Sequence, residues 1–223
     1  TRTLASGEAA TNVDFGYRGG ATVGDRVWYD VDGDGTQNNA EPGIGGATVT
    51  LLWSGPDGDI NTSADNVTYL TVTDSNGNYV FFGLPVNGAS DGYRVSVAPP
   101  SAFAVPTFDA DGVGSPNQSG LSLGATETNL DQDFGYRGLP SQGIGNFVWE
   151  DLNGNGRQDG LEPGIDGVTV ELYDSTGTAL YAVTTTAGGG AYAFPNLVPG
   201  TYQIRFGNTN GLATFTRTAA NVG

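Results

Sequence analysis

Asp30-Val31-Asp32-Gly33-Asp34-Gly35-Thr36-Gln37-Asn38-Asn39-Ala40-Glu41 runs straight into Pro42-Gly43-Ile44 and then into Ala47-Thr48-Val49-Thr50-Leu51-Leu52. The first twelve residues fit the calcium-loop pattern D-x-[DN]-x-[DN]-G-x5-E. Side-chain oxygens fall at positions 1, 3, 5 and 12, and the glycine at position 6 permits the turn that folds them around one ion. A helix–loop–helix frame is excluded by what flanks the loop. Pro42 lacks a backbone donor and fixes φ, so no regular helix crosses it. The Val/Thr alternation beyond it reads as strand. The loop is therefore expected between two β-strands, and an ion held there stiffens the chain.

The loop recurs as Asp151-Leu152-Asn153-Gly154-Asn155-Gly156-Arg157-Gln158-Asp159-Gly160-Leu161-Glu162. Asp30, Asp32 and Asp34, the Thr36 carbonyl and a bidentate Glu41 are the expected Ca2+ ligands of the first copy. Asp151, Asn153, Asn155, the Arg157 carbonyl and Glu162 are those of the second. Two asparagines replace two aspartates, so the second loop is expected to bind more weakly. Asp74 and Asn76, in Asp74-Ser75-Asn76-Gly77-Asn78-Tyr79, form a further candidate, with an ordinary hairpin turn as the competing reading. Copy two has Ala187 and Gly189 at the matching positions. Asp57, Asp59 and Asp65, and the pair Asp109 and Asp111, are weaker candidates.

The repeat extends beyond the loops. Residues 23–52 align without gaps on residues 144–173, with about half the positions identical, and Leu84-Pro85 and Tyr93 have counterparts in Leu197 and Tyr202. Residues 54–66 are extra in copy one and are expected in a loop. Copy one closes on Asp133-Phe134-Gly135-Tyr136-Arg137-Gly138, and the chain opens on a twin, Asp14-Phe15-Gly16-Tyr17-Arg18-Gly19. The expected domains are a closing strand of a preceding or neighbouring-molecule domain (1–19), a complete sandwich (20–138), a linker (139–143) and a second sandwich without its closing strand (144–223). Two readings of the ends stay open: a piece of a longer tandem protein, or a head-to-tail fibre in which the first strand of one molecule completes the last domain of the next. Leu139-Pro140-Ser141-Gln142-Gly143 has Gln where a sortase signal needs Thr, and reads as a linker.

Composition narrows the chemistry. The 223 residues carry a net charge of −16, with eight cationic residues, all arginine, against 24 acidic ones. Such a surface repels nucleic acid and anionic lipid and attracts divalent cations. With neither His nor Cys, no Ser-His-Asp triad, thiol nucleophile, disulfide or imidazole zinc site can form. An enzyme is not expected, and no apolar run is long enough for a membrane span. Thirty-seven glycines, fifteen of them in Asp-Gly, Asn-Gly and Pro-Gly pairs, suit many short strands. Trp28, Trp149, Phe15 and Phe134 are expected in strand cores rather than on a carbohydrate-binding platform.

Gly24-Asp25-Arg26-Val27-Trp28, the loop with Glu41-Pro42-Gly43-Ile44, Thr73 to Tyr79, Gly83-Leu84-Pro85 and Asp133-Phe134-Gly135 together resemble the B domains of serine-aspartate-repeat surface adhesins. The resemblance covers nearly the whole chain, twice. It implies tandem immunoglobulin-like, prealbumin-type Greek-key β-sandwiches, seven strands each, that bind calcium and form stiff stalks on a cell surface. Extracellular modules take ion at roughly 10⁻⁴–10⁻³ M, which suits an external location. The expected role is structural, with copies of itself or adjacent repeats as end-to-end partners. The alternative is an adhesin module recognising a host protein or glycan, and a third reading is an accessory region of a secreted hydrolase.

Overall fold

The computed structural model describes residues 3, 5–7, 18–38, 40–86, 92–207 and 212. The twin opening strand expected at 12–17, with Asp14 and Phe15, and the end of the second repeat lie outside the described residues. Within them the chain is all β, with fourteen strands and no helix.

The first repeat forms two facing sheets. One takes the order β4-β1-β9-β6, from β4 (Asn78–Leu84), β1 (Ala21–Tyr29), β9 (Phe134–Arg137) and β6 (Val105–Asp109), with the short β8 (Thr128–Asn129) beside β1. The other takes the order β3-β2-β5-β7, from β3 (Val67–Val72), β2 (Thr48–Trp53), β5 (Tyr93–Ala98) and β7 (Gln118–Leu121). Alternation sends Val49 and Leu51 of β2, Tyr93, Val95 and Val97 of β5, and Tyr79 and Phe81 of β4 into one core. The extra residues 54–66 connect β2 to β3, as the repeat alignment predicts.

The closing strand runs parallel to β1, matching Val27 to Phe134, Trp28 to Gly135 and Tyr29 to Tyr136. Gly135 allows this approach, because a Cβ there would meet the Trp28 indole 2.7 Å away. The Pro-Gly-Ile turn after each loop crosses over the end of a hairpin. Trp28 bridges to Gly43, and a side chain on Gly43 would collide with the Asn76 carbonyl; Trp149 bridges to Gly164, which presses on Gly189 in the same way.

The second repeat reproduces the first half of this plan. β10 (Gly143–Phe147) pairs with β13 (Ala191–Pro195), and β11 (Thr169–Tyr173) lies between β12 (Leu180–Thr185) and β14 (Gln203–Phe206). Val168, Val170, Leu172, Ala182, Phe194 and Leu197 are its buried hydrophobic residues. No counterpart of β6, β7, β8 or β9 occurs there among the described residues.

Just past the closing strand, and five residues before β10 begins, Gly138 N–H donates to the Asn196 carbonyl at 2.8 Å, so the repeats touch directly. The Tyr29 hydroxyl accepts from Val198 N–H at 3.0 Å and lies 3.4 Å from the Tyr202 hydroxyl. Burial and Tyr202 hold the Tyr29 phenol well above its usual range.

Candidate metal centre

β1 delivers Asp30 into the first loop, and β9 fixes it there, because Asp30 N–H donates to the Tyr136 carbonyl at 3.0 Å. The loop then wraps its own carboxylates. Gly33 and Gly35, both at positive φ, turn their N–H groups onto the two Asp30 oxygens at 2.6 and 3.0 Å. Glu41 reaches back to accept from Val31 N–H at 2.7 Å and Asn38 N–H at 3.2 Å. Asp30, Asp32 and Glu41 thus offer oxygens that all lie within 4.8 Å of one another.

That spacing fits a hard cation. Oxygens bound at about 2.3–2.6 Å lie at most about 5 Å apart across one ion. Electrostatics point the same way. Burial raises the Glu41 carboxyl to about 7, and the charges of Asp30 and Asp32 add to the effect. Asp30 and Glu41 are buried and Asp32 is partly buried, so a cation among the three carboxylates would offset their mutual repulsion while tying the end of β1 to the start of the Pro-Gly-Ile turn.

Asp34 and Thr36 stand apart from this trio. Asp34 accepts from Thr36 N–H at 2.7 Å and from the Asn38 amide at 2.7 Å. Both residues are exposed, on the outer side of the loop.

The second loop repeats the backbone pattern. Asp151 accepts from Asn155 N–H and Gly156 N–H at 3.1 and 2.9 Å, and Glu162 from Leu152 N–H and Asp159 N–H at 3.0 and 2.9 Å. Its asparagines behave differently from the aspartates they replace. The Asn153 and Asn155 amides both donate to Asp159, at 2.8 and 2.9 Å, and hold that carboxyl below its usual range. Asn155 accepts from the N–H of exposed Arg157 at 2.7 Å.

Asp74 is engaged by its own hairpin. It accepts from Asn76 N–H, Asn78 N–H and the Asn78 amide at 2.8, 2.9 and 3.1 Å, which lowers its pKa. The Asn76 carbonyl in turn accepts from Arg26 at 3.0 Å. In copy two the missing aspartate is replaced from across the gap: Asp166, where copy one has Gly45, accepts from Gly189 and Gly190 N–H. The aspartates of the insert form their own turn, with Asp57 accepting from the Thr62 hydroxyl at 2.5 Å and from Asp59 N–H at 2.9 Å.

Sequence reasoning missed Arg137. Its guanidinium donates to the Val31 carbonyl of the first loop at 3.2 Å and to the Pro195 carbonyl of the second repeat at 2.7 Å. The available signal was the recurrence of Arg at the end of Asp-Phe-Gly-Tyr-Arg; the other copy, Arg18, stacks over Phe82. As for the aromatics, Trp28 and Phe134 are buried and Trp149 is half-buried.

Comparison with known proteins places these features. The sequence matches the SdrD B-like domain over residues 21–136 and again over 142–223. It is 37% identical over 234 residues to serine-aspartate repeat-containing protein F of Staphylococcus epidermidis, covering 100% of this chain and 12% of that protein. It is also 37% identical over 206 residues to serine-aspartate repeat-containing protein D of Staphylococcus aureus strain Newman, covering 89% of this chain and 14% of that protein. The chain therefore spans about one-eighth of the length of these relatives. Among solved structures, a streptococcal ancillary pilin overlaps 90% of this chain and 56% of its own, with 16% identity and a TM-score of 0.35. The shaft pilin SpaA of Lactobacillus rhamnosus GG overlaps 85% and 87%, with 11% identity and a TM-score of 0.34.

Proposed function

This chain belongs to the SdrD B-like domain family, and we propose that it is an extracellular structural element, a stalk of tandem sandwiches stiffened by calcium. The observation that carries the reading is the Asp30, Asp32 and Glu41 cluster, drawn within 4.8 Å at the end of the strand that also meets the second repeat. Calcium there neutralises the trio, holds the loop closed and keeps the Val31 carbonyl in place for Arg137. Arg137 and Tyr29 pass that order to the next repeat through Pro195 and Val198. Adjacent repeats are the natural end-to-end partners of such a unit, and a strand exchanged between molecules is one way to extend it. Membership in a family of surface repeats favours a cell-surface location and a non-enzymatic role. Among the described residues no helix is long and apolar enough to cross a membrane.

The test is small-angle scattering of the chain in millimolar calcium and in chelator. A single extended particle in calcium, broadening to a mixture of inter-repeat angles in chelator, is the expected result. Identical scattering in both conditions, with no heat on titrating calcium, would remove the proposed role of the ion.

A further inference from the structure

The joint between the repeats has a twin on the first repeat. At the joint, Arg137 donates to the Pro195 carbonyl, and Gly138 packs where a side chain would collide with the Leu197 carbonyl. Arg18 and Gly19 take the matching places on the first repeat. Arg18 stacks over Phe82, the counterpart of Pro195, and a side chain on Gly19 would collide with the carbonyl of Leu84, the counterpart of Leu197. The residue between also matches, since Gly83 and Asn196 both adopt a left-handed φ, 73° and 60°. An Arg-Gly pair thus enters each repeat in the same way, and in the second it comes straight from a closing strand.

The second repeat offers the seat that such a strand needs. β1 pairs with β4 on one side and with β8 and β9 on the other, whereas β10 pairs with β13 alone among the described residues. The inner face beside that edge is correspondingly open. Val23, Val27 and Val97 are 5% exposed or less; their counterparts Ile144 and Val148 are only half-buried, and Phe206 is 46% exposed. An unpaired strand edge bordered by uncovered apolar side chains is a template for strand addition.

A twin of the β9 sequence, Asp14-Phe15-Gly16-Tyr17-Arg18-Gly19, leads directly into the seat on the first repeat. We propose that these residues of one molecule form the closing strand of the second repeat of another. The inference rests on the structural role proposed above and names the partner as a second copy of this chain. β9 sets the register. Val27 faces Phe134 and Trp28 faces Gly135 in parallel, so Phe15 comes opposite Val148, and Gly16 opposite Trp149, of the next molecule. Glycine is required at 16 for the same reason as at 135, where a Cβ would enter the indole. Arg18 then joins two molecules as Arg137 joins two repeats. Donor and acceptor are different surfaces, so the contact is heterologous and each molecule adds another.

The experiment is disulfide trapping in millimolar calcium, because the chain has no cysteine of its own. Phe15→Cys and Val148→Cys are made in separate chains and mixed under mild oxidation. A covalent dimer should form in the mixture, since paired strands bring Cα atoms within the roughly 4.4–6.8 Å that a disulfide spans. Phe15→Cys mixed with Thr185→Cys, exposed on β12 of the other sheet, should give none. Sedimentation velocity of the unsubstituted chain is the second readout. It should show a concentration-dependent ladder, which a free peptide of residues 12–19 shortens and Gly16→Val moves to about tenfold higher concentration. The peptide arm needs no substitution, so it stands even where a variant misfolds. A monomer at every concentration that leaves the peptide unbound overturns the proposal, as it would if the residues after Gly207 cover β10 themselves. A ladder indifferent to both peptide and Gly16→Val also overturns it, because the molecules then meet elsewhere. Trapping that succeeds while scattering ignores chelation would remove the ion's role and leave this contact standing.

Discussion

Residues 30–41 and 151–162 are two copies of one loop that share most of their backbone hydrogen bonds to the first aspartate and the last glutamate, yet they sit in different surroundings. In the first, β9 lies against the approach strand and the following β6 strand borders the loop. Val31 is 2% exposed, whereas Leu152, at the same position of the second copy, is 62% exposed. Trp28 is buried against Phe108, with ring centres 5.3 Å apart, whereas Trp149 is half-buried. Local sequence makes the loop. Strands far away in sequence decide whether its charges feel water, and so how much a cation gains by neutralising them.

The sharpest way to break this comparison is to remove the two tryptophans in turn. Trp28→Ala should cost about 3–5 kcal/mol, as for a fully packed large side chain. Trp149→Ala should cost less, roughly 1–2 kcal/mol, since its side chain is only partly buried. Chemical denaturation, followed by the fluorescence of the remaining tryptophans, reports both. Equal losses would mean that the second repeat is as well covered as the first, and the contrast would vanish.

A somewhat smaller effect separates the two loop glutamates. Glu41→Ala leaves the buried Val31 N–H and the partly buried Asn38 N–H without their acceptor, at a cost of about 2–4 kcal/mol measured in calcium. Glu162→Ala exposes its donors to water, because Leu152 and Asp159 lie on the surface, and should cost about 1 kcal/mol. Thermal melts in calcium and in chelator test the pair. A larger loss for Glu162→Ala would reverse the ranking.

The strands, the two loops and the insert were legible because each depends on short-range pattern: alternation, Asp-Gly turns and Pro42. Charge count was the only difference between the loops that the sequence offered, whereas the structure adds a difference in burial by β9 and β6. No window of sequence around Asp151 contains that information. Asp74 was ambiguous for a local reason: the spacing that presents a carboxylate to an ion also presents it to the N–H groups of Asn76 and Asn78, and the hairpin uses them. Asp166 and Arg137 were not legible as partners of Gly190 and Pro195, because their contacts arise only when strands cross. Asp109 read only as a weak candidate beside Asp111 until the ladder placed it opposite Phe134 on the inner face.

The finest test of the difference between the copies is pH. In the chelated protein Glu41 is raised from 4.5 to about 7 by burial, so between those values the folded chain holds a proton that the unfolded chain has released. Its contribution to stability is then intact below about 4.5 and is lost as pH rises towards 7, with a slope of at most about 1.4 kcal/mol per pH unit for one proton. Calcium reverses the sign, because the ion needs the ionised carboxylate, so its stabilisation should grow across the same window. Asp109 and Asp133, both raised to about 6, titrate there as well. The informative quantity is therefore the difference between the parent and Glu41→Gln, with Glu162→Gln as the matched control in the open loop. Glu41→Gln should flatten the slope in chelator and remove its reversal by calcium. If both variants keep the parent's slope, the first loop is no more shielded from water than the second.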